Sequence, residues 1–251
     1  MRLSLRRRLR ETSPVLATFS ILPRVEVVEA IALGGFDAVI LDLEHGPYGI
    51  ESLPPLILAA EAHAIFPIVR VQRCEPALIG SALDAGAAGV MVPGIGTPDE
   101  ARAAVNAARF APQGNRGAHP WVRAASFSGR SAWFAEANED AAILLMIEGR
   151  QGADNAEAIM ETPHLDGVFI GPVDLSHSLG VPGQIDHPAV VEKVDGIMAK
   201  ANQLSLATAI FSPTPAGAKK WMQKGVKLVA LSVDTDVLAS GMRAVSTAAR
   251  G

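Results

Sequence analysis

The chain has 251 residues, of which 49% are hydrophobic and 19% charged, so it can build a large core and a disordered chain is excluded. It contains 23 Gly and 17 Pro along its length, which favours many short elements over a helical bundle. A formal charge of −4 gives no positive field to attract a phosphate backbone, so nucleic acid is not an expected partner. The length suits one domain over residues 1–251, because α/β barrels often reach this size.

A single cysteine, Cys74, excludes an internal disulfide framework and a thiolate zinc cluster, and it fits a reducing cytoplasm. No apolar run approaches the roughly 20 residues that span a bilayer, and no apolar signal segment follows Met1, so we expect neither a membrane protein nor a secreted one. The Arg-rich start over residues 1–12 has two interpretations. It resembles a transit peptide in composition, but Leu3, Leu5 and Leu9 would equally pack a short leading helix.

From Val15 onward, short apolar runs alternate with longer amphipathic stretches, which is the pattern of parallel strands joined by crossover helices. The eight candidate strands are VLATFS (15–20), AVILDLE (38–44), FPIVRV (66–71), GVMVPG (89–94), AILLMIE (142–148), GVFIGP (167–172), LATAIF (206–211) and KLVALSV (227–233). Eight such units predict a single (β/α)8 TIM barrel. An open doubly wound sheet is the alternative, although no G-x-G-x-x-G follows the first strand and the sequence contains no P-loop.

One long interruption, over residues 109–139, follows the fourth strand and its helix. It is too long to be a neutral connector. Loops that follow barrel helices start far from the usual active face, yet an extension of this length can fold over that face or bridge subunits. The sequence leaves both interpretations open.

Polar residues follow several of the predicted strands, at the barrel end where catalytic residues lie. They are Asp42, Glu44 and His45 after the second strand, Arg70 at the end of the third, Glu148 after the fifth, and Gly171-Pro172-Val173-Asp174 after the sixth. A single acid there would usually be a helix cap or a solvated tip. The convergence of several such residues predicts an active site.

Glu148 and Asp174 follow neighbouring strands at about the same height and would form half of an oxygen-ligand site. Such ligands favour a hard divalent ion, Mg²⁺ or Mn²⁺, and Co²⁺ is also compatible. The structural alternative is that the two carboxylates cap helices and bind no ion. Arg70 would be costly to bury without an anionic partner, so we expect a bound carboxylate or enolate beside it. A neutral His45 could move protons near pH 7.

The lysines separate two mechanisms of carbonyl chemistry. All six fall after residue 190, and none ends a strand. A Schiff-base aldolase needs an amine inside the barrel mouth, so carbonyl chemistry here would depend on a metal ion.

Several segments in this order and spacing resemble the HpcH/HpaI family of metal-dependent pyruvate aldolases. They are GGFDAVILDLEHGPYG, FPIVRV, ALDAGAAGVMVPGI, ARFAPQGNRG, LLMIEGRQGADN and LDGVFIGPVDLSHSLG. The resemblance covers the chain from about Val15 to Gly251. It implies reversible cleavage of 4-hydroxy-2-keto acids to pyruvate, or a substituted pyruvate such as hydroxypyruvate, and an aldehyde, through an enolate that a divalent ion stabilises.

The resemblance also implies a role for each motif residue. Glu148 and Asp174 would hold the divalent ion, and Arg70 would stabilise the enolate. His45 would be the acid/base, and Asp84 would raise its basicity. The backbone around Gly171, Pro172, Val173 and Asp174 would receive the substrate carboxylate.

One position departs from the family pattern. Where the family commonly has Q-I-E, this chain has Met146-Ile147-Glu148, so an amide that can contact the keto acid is replaced by a thioether and donor preference is open. We expect residues 19–23 and 211–213 to line the aldehyde side of the mouth. The family usually forms hexamers through terminal helices, and the small residues of VLASGMRAVSTAARG would suit close packing, so we expect a homohexamer with the C-terminal helix in its interface.

Two other functions remain open. One is a CoA-thioester lyase of the citrate-lyase β type, although those chains tend to be longer and no basic patch for CoA phosphates is evident. The other is a barrel that binds a keto acid or assembles with a partner without catalysis, which would have no need of a positioned base.

Overall fold

The computed structural model describes residues 4–251 and contains a closed barrel of eight parallel strands in sequence order. The strands are β1 (Val15–Ser20), β2 (Ala38–Asp42), β3 (Phe66–Arg70), β4 (Gly89–Val92), β5 (Ala142–Ile147), β6 (Gly167–Ile170), β7 (Ala207–Ser212) and β8 (Leu228–Val233). The predicted (β/α)8 barrel is confirmed. Strand β2 ends two residues earlier than predicted because the backbone N–H of Glu44 turns back to donate to the Asp42 carboxylate.

Helices surround the barrel. Those in the described residues are α1 (Leu5–Arg8), α2 (Val25–Leu33), α3 (Leu53–Ala62), α4 (Pro76–Asp84), α5 (Pro98–Ala108), α6 (Trp133–Asp140), α7 (Arg150–Asp154), α8 (Ala156–Met160), α9 (Pro172–Ser178), α10 (Pro188–Gln203), α11 (Pro215–Gln223) and α12 (Asp234–Arg250). Within residues 4–251, every helix is too short or too polar to span a bilayer.

The core has two layers, and the alternation of side chains along each strand separates them. On β5, Ala142, Leu144 and Met146 fill the barrel interior, whereas Ile143 and Leu145 pack against the outer helices. The same alternation points the next interior position, residue 148, into the mouth of the barrel. The strand therefore places Glu148 where the sequence predicts it.

Helix α1 closes the opposite end of the barrel. Leu5 and Leu9 are buried among the interior side chains, as predicted for a leading helix, while Leu3 lies outside the described residues. Arg6 and the fully buried Arg109 both pair with Asp166, and Arg109 also donates to the carbonyl oxygens of Asn138 and Ala141. This network joins the leading helix to the segment at 109–139.

That segment packs at the N-terminal end of the strands and does not cover the mouth within one chain. It includes α6, and the Arg116 guanidinium lies 4.4 Å from the centre of the Phe110 ring. Arg116 also pairs with Asp84 at 2.5 Å, at the C-terminal end of α4. Of the two interpretations from sequence, folding over the active face is therefore not seen.

Candidate active site

Arg70 and Asp42 form the centre of the mouth because parallel pairing sets the last residues of β2 and β3 side by side. Arg70 Nε donates to Asp42 Oδ1 at 2.8 Å and Nη2 donates to Oδ2 at 2.6 Å. Such a two-point pair fixes the plane of the guanidinium as well as its position. Sequence reasoning missed this partner, although the matched strand ends could have indicated it.

Two further contacts hold the guanidinium. Arg70 Nη1 lies 3.1 Å from Glu44 Oε2, and the guanidinium carbon lies 4.6 Å from the centre of the Phe19 ring. Burial alone would lower the pKa of Arg70, but the hydrogen bonds and charge of Asp42, with the charges of Glu44 and Glu148, raise it on balance. The expectation of a bound anion is thus corrected in part, because the protein supplies carboxylates of its own.

Glu148 is fixed by the backbone around it. Its Oε1 accepts a hydrogen bond of 2.8 Å from the Gly94 N–H in the loop after β4. On its other side lies Gly171, where an added Cβ would fall 2.7 Å from Glu148 Cβ and 2.9 Å from Oε2. A side chain at position 171 would therefore displace the carboxylate, which explains the glycine.

Four carboxylates, those of Asp42, Glu44, Glu148 and Asp174, share the mouth closely enough to influence one another. Burial raises the pKa of Glu148 to about 7, the Gly94 hydrogen bond opposes this, and the charges of Glu44 and Asp174 add to it. Burial also raises the pKa of Glu44, and the charges of Asp42 and Asp174 act in the same direction against Arg70 and His45. The excess of negative charge suits a cation.

The residues fit a divalent ion in donor type. Glu148 and Asp174 offer hard oxygen ligands, and the buried Glu148 gains from any nearby positive charge. Within residues 4–251, no three His, Cys, Asp or Glu side chains converge closely enough to hold an ion between them.

His45 lies at the same mouth, on the turn after β2. Its side chain is exposed, and its backbone N–H lies 3.4 Å from Asp42 Oδ1, which also accepts from the Glu44 N–H at 3.1 Å. The Asp42 carboxylate therefore organises both the turn that carries His45 and the guanidinium of Arg70. Val173 and Asp174 are also exposed here, in the first turn of α9.

Asp84 is the one predicted site residue that this chain does not bring to the mouth. It ends α4, and this helix runs antiparallel to the strands, so its last residue lies at the N-terminal end of the barrel beside Arg116. His45 lies at the other end. The expected contact between Asp84 and His45 is therefore wrong within a single chain.

Apolar side chains form the floor and one wall of the mouth. Met146 is 2% exposed and pairs in register with Phe169 of the neighbouring strand, one interior layer below Glu148. The Phe19 ring lies 5.9 Å from Phe169 and 6.1 Å from Phe211, measured between ring centres. These three aromatic rings form the wall on the side where the sequence places the aldehyde.

Residues 16–241 match the sequence profile of the HpcH/HpaI aldolase/citrate lyase family. The chain is 36% identical over 220 residues to a 5-keto-4-deoxy-D-glucarate aldolase from Citrobacter koseri, a match that covers 88% of this chain and 86% of the relative. This chain therefore belongs to the HpcH/HpaI aldolase/citrate lyase family. It is an enzyme, a carbon–carbon lyase of the aldolase type.

Solved structures agree with this assignment. An HpcH/HpaI aldolase/citrate lyase family protein from Burkholderia cenocepacia superposes with a TM-score of 0.93 at 35% identity, over 98% of this chain and 99% of that one. A citrate synthase, SbnG, superposes with a TM-score of 0.90 at 30% identity, over 98% of this chain and 97% of that one. Proteins similar to this chain thus have different named reactions.

Proposed function

We propose that this aldolase reversibly cleaves 4-hydroxy-2-keto acids to pyruvate, or a substituted pyruvate, and an aldehyde. The observation that carries the proposal is the group of acidic side chains around Arg70 at the barrel mouth. A keto acid presents a carboxylate and a carbonyl oxygen side by side. The fixed guanidinium could bind one of these oxygens, and a cation held by the carboxylates could bind both.

Glu148 and Asp174 would hold a divalent ion, Mg²⁺ or Mn²⁺, with Co²⁺ also compatible. Such an ion, when bound, supplies the Lewis acidity that makes the hydrogen next to a keto group acidic. The protein contributes the position of the ligands. The Gly94 N–H and the close approach of Gly171 keep Glu148 facing the mouth.

Arg70 would bind the keto oxygen and stabilise the negative charge that develops there. Its guanidinium is held by Asp42, so little reorganisation is needed when substrate binds. The backbone around Gly171, Pro172, Val173 and Asp174 would receive the substrate carboxylate. The apolar floor at Met146 and Phe169 would exclude water from the reacting carbon.

His45 would move the proton. In cleavage it would remove the proton of the 4-hydroxyl as the bond between C3 and C4 breaks, which releases the aldehyde and leaves the electron pair on the pyruvate enolate. A proton taken up at C3 then gives the product keto acid. In the reverse direction, aldol addition, His45 would return its proton to the new hydroxyl. Its exposed position on the turn after β2 leaves the imidazole accessible from the mouth.

A role for Asp84 requires a second copy of the chain, because Asp84 and His45 lie at opposite ends of one barrel. An oligomer would supply that copy, and the proposed homohexamer is supported by α12, whose Val237, Leu238, Met242 and Val245 are each more than half exposed. We place this oligomer in the cytoplasm.

Mixing inactive chains tests this arrangement. His45→Ala and Asp84→Asn chains, unfolded together and refolded together, regain activity if one chain supplies Asp84 to the His45 of another. Mixtures as inactive as either variant alone would contradict it.

Met146 would set the donor preference. A thioether donates no hydrogen bond and adapts its shape, so the floor should accept a substituent on the donor carbon. We therefore expect hydroxypyruvate and 2-oxobutyrate to serve beside pyruvate.

The test is pyruvate release from 4-hydroxy-2-keto acids, including 5-keto-4-deoxy-D-glucarate, followed with lactate dehydrogenase and NADH. Citrate formation from oxaloacetate and acetyl-CoA is measured in parallel, since SbnG is a citrate synthase. Metal-dependent pyruvate release supports the proposal. Turnover of CoA thioesters without pyruvate release would favour a citrate-lyase-type reaction. Binding of a keto acid without turnover would favour the non-catalytic alternative.

A further inference from the structure

The tyrosine hydroxyl at position 48 connects the ends of two strands at the active-site mouth. Tyr48 Oη accepts a hydrogen bond from the Asp42 N–H at 2.9 Å and donates one to the Ser20 carbonyl oxygen at 2.9 Å. The pairing of β1 with β2 ends at Ser20 and Leu41. The hydroxyl thus extends the connection between β1 and β2 by one residue, to Asp42, whose carboxylate holds Arg70.

The Tyr48 ring is fitted into this place by the turn before it. Gly46 donates its N–H to the Asp42 carbonyl oxygen at 3.1 Å. A Cβ at position 46 would fall 2.2 Å from that oxygen and 2.4 Å from Tyr48 Cε1. The glycine therefore leaves the space that the ring fills.

The Tyr48 hydroxyl stays protonated, so its hydrogen bond to Ser20 at the active-site mouth is maintained. Burial raises the pKa of Tyr48 well above its usual value, so the hydroxyl keeps the proton that it donates to Ser20. Ser20 is itself fixed from the far side, because its Oγ donates to Asp234 Oδ2 at 2.9 Å. Tyr48 therefore connects Asp42 to a fixed point on β1.

The position of Asp42 in turn determines the position of Arg70, which the proposed function uses. Its two carboxylate oxygens hold Arg70, and one of them also accepts from the backbone of Glu44. A small displacement of the Asp42 backbone would turn the guanidinium away from its bound position, since both points of contact move together.

We propose that Tyr48 is a positioning residue for keto-acid binding, acting through Asp42 to hold Arg70. This inference rests on the proposed function, in which Arg70 binds the keto oxygen. It adds a residue that touches neither substrate nor ion.

A double-mutant cycle tests it, with oxalate as the probe because its adjacent carboxylates resemble the enolate of pyruvate. Oxalate affinity is measured by calorimetry in Mn²⁺-loaded wild type, Tyr48→Phe, Arg70→Ala and the double variant. Tyr48→Phe should weaken oxalate binding about five- to tenfold. In the Arg70→Ala background the same change should have no further effect, because the group that Tyr48 positions is absent.

Two controls separate positioning from general damage. Mn²⁺ affinity, followed by electron paramagnetic resonance, should be the same in Tyr48→Phe and wild type. Thr18→Val removes a different buried hydroxyl, which is on β1 and lies 3.4 Å from the Ser232 carbonyl oxygen, and it should leave oxalate affinity unchanged.

An unchanged oxalate affinity in Tyr48→Phe, or an equal loss in both backgrounds, would overturn the positioning role. If Tyr48→Phe does not fold, Tyr48→Met removes the same hydroxyl with a side chain that adapts its shape, and the same cycle and criterion apply. A wild-type enzyme that cleaves no keto acid and binds no oxalate would show that the proposed function itself has failed. A wild type that does both, with an additive cycle, would refute the positioning role alone.

Discussion

Both ends of this barrel contain arginines paired with carboxylates, but arginines are in the majority at one end and carboxylates at the other. At the N-terminal end, two arginines, Arg6 and Arg109, share Asp166. At the mouth, one arginine, Arg70, lies among several carboxylates. The first arrangement is closed, because Arg109 is fully buried and its Nη1 donates to the backbone carbonyl oxygens of Asn138 and Ala141.

The mouth is left with unbalanced negative charge, and its carboxylates face an opening. Burial and like charges raise the pKa of Glu148 there. A buried ion pair whose partners the protein itself supplies holds structure together, whereas a cluster with excess charge is ready for a ligand. The comparison therefore predicts that substitutions at the closed end lower stability, whereas substitutions at the mouth affect chemistry and can stabilise the metal-free protein.

The largest expected effect is at the closed end. Asp166→Ala leaves Arg6 and Arg109 buried without their shared carboxylate, and we expect a loss of about 3 to 5 kcal/mol in the free energy of unfolding. Urea denaturation measures it. The control is Asp154→Ala, which removes only a surface pair with Lys193 and should leave the urea midpoint unchanged. Equal midpoints for the two variants would show that the Asp166 network does not stabilise the fold.

A smaller effect of opposite sign on the free energy of unfolding is expected at the mouth, where replacing Glu148 should stabilise the metal-free protein. The pKa of Glu148 rises from 4.5 to about 7 on folding, so between these values the folded protein holds more protons than the unfolded chain. The stability of metal-free enzyme should therefore fall as the pH rises through this range and stay lower above it. Glu148→Gln should remove about 2 kcal/mol of that fall.

Urea titrations of metal-free protein at pH 5 and pH 8 measure this difference. Glu157→Gln, an exposed acid of α8, is the matched control and should keep the wild-type pH dependence. Identical pH dependence in Glu148→Gln and wild type would contradict the burial of charge at the mouth.

The smallest effect concerns Met146 on the apolar floor of the mouth. Met146→Gln introduces a donor group that can hydrogen-bond the keto acid, worth roughly 0.5 to 1.5 kcal/mol, and should narrow the preference toward pyruvate. The measurement is kcat/KM for aldol addition with pyruvate, hydroxypyruvate and 2-oxobutyrate, using one fixed aldehyde. Equal donor ratios in variant and wild type would remove position 146 from donor selection.

The two ends also differ in how far sequence predicts them. Arg70 ends β3, Glu148 follows β5 directly and Asp174 lies in the first turn of the helix after β6. Alternation and the parallel order of the strands therefore predict from sequence that all three lie at the mouth. Arg6 and Arg109 lie in polar sequence far apart along the chain, and nothing local marks them as partners of Asp166.

The contacts of Tyr48 and the location of Asp84 could not be predicted from sequence. Tyr48 follows a turn and forms part of no periodic pattern, so its contacts with Ser20 and Asp42 emerge only from the closed barrel. Asp84 matches a family motif, but the antiparallel course of α4 carries it to the far end. A motif gives the identity of a residue, whereas its distance from the site depends on the path of the chain and on neighbouring copies.

The central claim is that Glu148 and Asp174 hold a divalent ion on which catalysis depends. The most direct test strips the enzyme with EDTA, removes the chelator, and titrates Mn²⁺ back while pyruvate release and bound Mn²⁺ are measured together. We predict loss of activity on stripping, recovery in step with one Mn²⁺ per chain, and folded but inactive Glu148→Ala and Asp174→Ala variants that bind Mn²⁺ weakly. Full activity in the stripped enzyme, or wild-type Mn²⁺ affinity in both variants, would contradict the claim.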